Sequence, residues 1–169
     1  TDSKNCSITY TLTILGGNSA PLAINDNYIG TEDTPLTRNV GLNDSDPDGD
    51  SLRFFIVTNP ANGSIIFNQD GTFTFTPNPN WNGTTTFDYR VCDPAGLCSV
   101  ASVTITINPT NDPPIAQDDL FTGPEDVPLN GTVFNNDSDI DGDLLTVSSI
   151  VITNPSNGSV VCGLTGCVY

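Results

Sequence analysis

Self-similarity constrains this chain more than any other feature. Residues 18–36, NSAPLAINDNYIGTEDTPL, return at 111–129 as NDPPIAQDDLFTGPEDVPL, an offset of 93. NDSDPDGDSL at 43–52 returns as NDSDIDGDLL at the same offset, and TNPANGS at 58–64 matches TNPSNGS at 153–159 at an offset of 95. A sequence that repeats at this period has to fold each copy as a unit with its own core. NCSITYTLTI (5–14) is also similar to LCSVASVTITI (97–107), the end of the complete copy. The expected organisation is therefore the last strand of an upstream repeat (1–17), one whole repeat (18–110) and the first part of the next (111–169). Such a chain reads as a window on a longer array.

Within the whole repeat the apolar period is two. TFTFT (72–76), FDYRV (87–91) and VTITI (103–107) alternate aromatic or branched residues with polar ones, the pattern of half-buried strands. NPANG, NQDG and DPAG punctuate them as turns. About seven short strands and no convincing helix are expected, which at this repeat length is an all-β, immunoglobulin-like sandwich. Phe73 and Phe75 should face one way and their threonines the other. Trp81, Phe87 and Tyr89 are the expected core aromatics, with Tyr89 as a corner tyrosine tied to nearby backbone.

Charge narrows the chemistry. The chain carries 20 acidic and 4 basic side chains, a formal charge of −16, with no His. Imidazole catalysis, His-ligated zinc and Ser–His triads have no residues to use. Nucleic acid and anionic lipid would be repelled, and no apolar run is long enough for direct membrane insertion. Glycoside hydrolysis needs two carboxylates across a cleft, which a narrow sandwich does not offer, so the reading is non-enzymatic. Nearly all the acids are Asp, a loop residue. Asp44, Asp46, Asp48 and Asp50 stand at alternate positions and are repeated as Asp137, Asp139, Asp141 and Asp143. Gly49 lets the first set curl, so that its carboxylates converge on a calcium ion. The alternative is a solvated turn, because water screens each repulsion to under ~1 kcal/mol. The loop is not an EF-hand: the twelfth residue from Asp44 is Phe55, and from Asp137 it is Ser148.

Cys92 and Cys98 flank DPAGL, and Cys162 and Cys167 flank GLTG, each between two expected antiparallel strands. Two hairpin-clamping disulfides follow, and with them an oxidising, extracellular address. A redox or metal role is the competing reading. Cys6 has no evident partner.

The ordered set ED[TV]PL, NDSDxDGDxL, NP[AS]NGS and DGTFTFTPNPNWNGTTTFDYRV resembles the bacterial cadherin-like, immunoglobulin-like tandem repeats of giant surface adhesins. VCDPAGLC is similar to repeats of large Bacteroidetes surface proteins, gliding-motility adhesins among them. The resemblance implies calcium between consecutive repeats, held in this chain by Glu32, Asn111, Asp112, Asp137 and Asp139. The upstream linker reads NSAP (18–21) where the second reads NDPP (111–114), so the second site is expected to bind more tightly. The implied function is a structural stalk whose partners are neighbouring repeats of the same chain and an unknown surface or glycan ligand. The alternative is a carbohydrate- or other ligand-binding module within the array.

Overall fold

The computed structural model describes residues 16–146, 157–163 and 166–168. The chain divides into two compact units, Thr1–Asn108 and Pro109–Tyr169. In the first, seven strands follow in order: β1 Asp26–Thr31, β2 Leu36–Asn39, β3 Arg53–Ile56, β4 Gly63–Phe67, β5 Thr72–Pro77, β6 Gly83–Cys92 and β7 Cys98–Asn108. A 3-10 turn at Val40–Leu42 is the one helical piece among the described residues. The strands form two sheets, β1-β7-β6-β3 and β2-β5-β4. This is the expected all-β, immunoglobulin-like sandwich.

Alternation decides which side chains meet between the sheets. β5 contributes Phe73 and Phe75, β6 Phe87, Tyr89 and Val91, and β7 Val103, Ile105 and Ile107, all buried. Phe73 and Phe87 meet edge to face across the two sheets, centroids 5.3 Å apart, a favoured geometry for aromatic quadrupoles. Burying each such side chain stabilises the fold by roughly 1.5–3 kcal/mol. Two aromatic expectations need correction. Trp81 is only half-buried and packs against the margin of the core, because it sits in the turn before β6 and not on an inward strand position. Tyr89 is buried, but the backbone its hydroxyl approaches is the carbonyl of Ile24, 3.1 Å away and 65 residues distant in sequence. It is therefore not a local corner.

The pairing of β1 with β7 is parallel, from Asp26 opposite Val103 to Thr31 opposite Asn108. β6 and β7 pair antiparallel from Gly83 opposite Ile107 to Cys92 opposite Cys98. β3 closes the sheet with Arg53 opposite Cys92. That last register brings the residues before Arg53 to the same end as the β6–β7 turn.

In the second unit, β8 Asn130–Gly131, β9 Val161–Gly163 and β10 Gly166–Val168 form an antiparallel sheet in the order β8-β10-β9. Cys162 is disulfide-bonded, and the backbone of Cys167 is its register partner. The expected strand at 5–14 and Cys6 lie outside the described residues.

Candidate metal centre

The aspartate loop is built on the carboxylate of Asp46. Its Oδ1 accepts the amides of Asp48 (2.8 Å) and Asp50 (3.3 Å), and the amide of Gly49 donates to its carbonyl (3.2 Å). Gly49 has φ +79°, a left-handed conformation that glycine adopts without steric cost. The chain enters the repeat against this loop. The amide of Ser19 donates to Asp48 Oδ2 (2.7 Å), and Leu22 and Ser45 exchange backbone bonds of 2.7 and 3.2 Å.

Asp46 Oδ2 is left buried with no hydrogen-bond donor. One carboxylate oxygen from each of Asp46, Asp50 and Asp93 lies within 4.8 Å of the others. At an effective dielectric of about 20, unit charges at this spacing repel by roughly 3–4 kcal/mol per pair, far more than in open water. A proton does not relieve this at Asp93. Burial works to raise its pKa, but the Asn18 side-chain amide and the amides of Leu97, Gly96 and Ala95 outweigh it, and the carboxyl stays below its usual range. A buried oxygen lacking a donor beside two further carboxylates fits a hard cation with flexible oxygen coordination, and calcium is such a cation.

The other expected ligands have different partners. Asp44 does not join the cluster. Its Oδ1 accepts the Ile24 amide (2.7 Å) and its Oδ2 the Tyr89 hydroxyl (2.9 Å), and burial pushes its pKa up despite both bonds. Asp48 accepts the Ser19 amide of the entering segment. Glu32 accepts from the Asn82 side chain at 3.3 Å. Asp93 was not among the sequence candidates. It follows Cys92 in the β6–β7 turn, 43 residues beyond Asp50, and is brought there only by the pairing of β3 with β6. Asn18 was missed likewise; its side-chain amide donates to Asp93 Oδ2 at 2.7 Å.

The second unit rebuilds the loop bond for bond. Asp139 Oδ1 accepts the amides of Asp141 (2.9 Å) and Asp143 (3.2 Å), and Asp141 Oδ2 accepts the amide of Asp112 (2.7 Å). Asp137 Oδ1 accepts the Gln117 amide (2.8 Å), and Gly142 has φ +77°. Asn111 donates to the carbonyl of Asp112. The loop's shape is therefore written in its own ten residues.

Several known proteins are similar to this chain. Integrin beta-like protein E of Dictyostelium discoideum is 29% identical over 131 residues, covering 70% of this chain, which spans 6% of that protein's length. The human desmocollin-1 ectodomain superposes with a TM-score of 0.47 at 12% identity, over 91% of this chain and 31% of that one. An endo-fucoidan hydrolase of glycoside hydrolase family 107 does so at 0.44 and 17%, over 93% and 24%. The family profile described as bacterial Ig domain matches residues 18–106 and again 111–169, one match per repeat, and the chain belongs to that family.

Proposed function

We propose that this chain is a stretch of an extracellular bacterial surface stalk whose repeats are stiffened by calcium. The observation that carries this reading is Asp46 Oδ2, buried without a donor beside Asp50 and Asp93 at the point where residues 18–19 enter the repeat. Asp46, Asp50 and Asp93 would hold the ion, with Asn18 and Asp48 tying the entering segment to them. The ion's contribution is charge neutralisation: it converts a repulsive cluster into a junction that fixes the angle at which the chain enters. In an array of such units, each contacting only its neighbours, fixing that angle turns a flexible string into an extended rod. The role is mechanical and not catalytic, and adhesion to a surface or glycan belongs to the full-length protein.

Calcium at 100 times its dissociation constant stabilises the state that binds it by about 2.7 kcal/mol. The melting temperature in calcium should then exceed that in chelator by more than about 5 °C, with an increase in radius of gyration by small-angle scattering. Asp93→Asn should remove most of the difference. Identical melting curves in calcium and chelator would overturn the proposal.

A further inference from the structure

Asp93 sits between the two bonded cysteines of a strand end. Cys92 and Cys98 are the last register pair of β6 and β7 and are joined by a disulfide. The turn they enclose is folded around Asp93. The Asp93 amide donates to the Leu97 carbonyl (3.0 Å), the Gly96 amide to the Asp93 carbonyl (3.2 Å), and the Leu97 amide to Asp93 Oδ1 (2.9 Å). Asn18 holds the other oxygen. Asp93 is only 6% exposed. Apart from Asn18, every group that orients this carboxylate lies within the covalent ring closed by the disulfide. The ring is short, and its covalent tie limits the fraying to which the last pair of a hairpin is prone.

We propose that the Cys92–Cys98 disulfide is a working part of the cation site. It positions Asp93, so the thiol–disulfide state of the hairpin sets cation affinity, and a bound cation in turn protects the disulfide from reduction. The inference rests on the calcium reading above. Asp93 acts on the ion, and the disulfide acts through Asp93. The redox step needs a dithiol reductant. One of its thiolates attacks a cysteine sulfur to give a mixed disulfide, and its second thiol closes on the first. Two electrons and two protons pass to Cys92 and Cys98, and the reductant leaves as a cyclic disulfide. The coupling is reciprocal by thermodynamic linkage. If reduction weakens calcium binding by a given factor, calcium makes reduction less favourable by the same factor.

The test uses the full chain. Calcium affinity is measured by calorimetry on the oxidised protein and again after reduction with dithiothreitol and alkylation, with circular dichroism verifying that the sandwich persists. At least tenfold weaker binding in the reduced, folded chain is expected. Equal affinity in both states overturns the inference and leaves the calcium reading standing. No binding in either state overturns the calcium reading and the inference with it. Should the reduced chain unfold, the rate of native-state reduction is followed by alkylation and peptide mass at Cys92 and Cys98. Calcium should slow that rate at least fivefold in the wild type and leave it unchanged in Asp93→Asn, whose disulfide is intact. A wild-type rate indifferent to calcium overturns the proposal.

Discussion

Asp26 is a carboxylate kept inside the sandwich, 8% exposed, bonded by the Asn43 amide (3.1 Å) and lying 3.1 Å from the Tyr28 hydroxyl and 3.4 Å from the Tyr89 hydroxyl, whose single protons have closer acceptors in the Asn39 carbonyl (2.8 Å) and Asp44 Oδ2 (2.9 Å). Burial raises its pKa, the Tyr28 bond lowers it, the charge of Asp44 raises it again, and the net shift is upward from 3.8. Its partner Tyr89 is pushed upward too, by burial and then by its bond to Asp44. A raised carboxylate binds its proton more tightly in the folded state than in the unfolded one. The stability it contributes is therefore full below about pH 3.8 and is lost as pH rises through the folded value. In calcium-free buffer the stability difference between Asp26→Asn and the wild type should shift in favour of the variant between pH 4 and pH 7. Urea unfolding across that range measures it, and a difference independent of pH would show that Asp26 is not desolvated as described. Tyr89 serves two ends at once: its ring fills the core, while its hydroxyl holds the first aspartate of the loop.

At the scale of elements, the β4–β5 hairpin shows how closely the strands approach. A Cβ on Gly63 would lie 2.5 Å from the Thr76 carbonyl oxygen and 2.6 Å from two ring carbons of Phe75. The oxygen is backbone in a paired strand, with Gly63 opposite Pro77, and cannot swing aside. Gly63→Ala should cost about 1–3 kcal/mol, the usual range for overpacking. It should lower the urea midpoint with the slope unchanged, and an unaltered midpoint would contradict this register. The β6–β7 hairpin matters for a different reason. Its turn carries Asp93, which meets Asp46 and Asp50 of the loop on another element, so the carboxylate cluster forms at the end of one sheet.

Over the whole molecule, two repeats carry the same loop with the same internal bonds. Ser19 and Asp112 use the same group, the backbone amide, toward Asp48 and Asp141, and Asp93 joins Asp46 and Asp50 of the first loop. A calcium site at Asp46, Asp50 and Asp93 should depend on the first loop alone. Asp46→Asn should abolish it in a calorimetric titration, while Asp139→Asn leaves it within about twofold. The opposite pattern would contradict that assignment.

The repeat, the strands over 72–76, 87–91 and 103–107, the disulfide across DPAGL and the curled aspartate loop were all legible in the sequence. Each depends on residues near one another along the chain: a period of two, a turn, a pair flanking a hairpin. The loop's own hydrogen bonds belong with them, since Asp46 binds amides two and four residues away. Tertiary structure alone decided the rest. It paired β1 with β7 in parallel, sent the Tyr89 hydroxyl to Asp44 and Asp26, and separated the four aspartates, leaving Asp46 and Asp50 to meet Asp93 while Asp44 turned inward. The physical reason is distance along the chain. Alternation says which face of a strand is apolar, but which strand ends lie side by side depends on how two sheets close over one core.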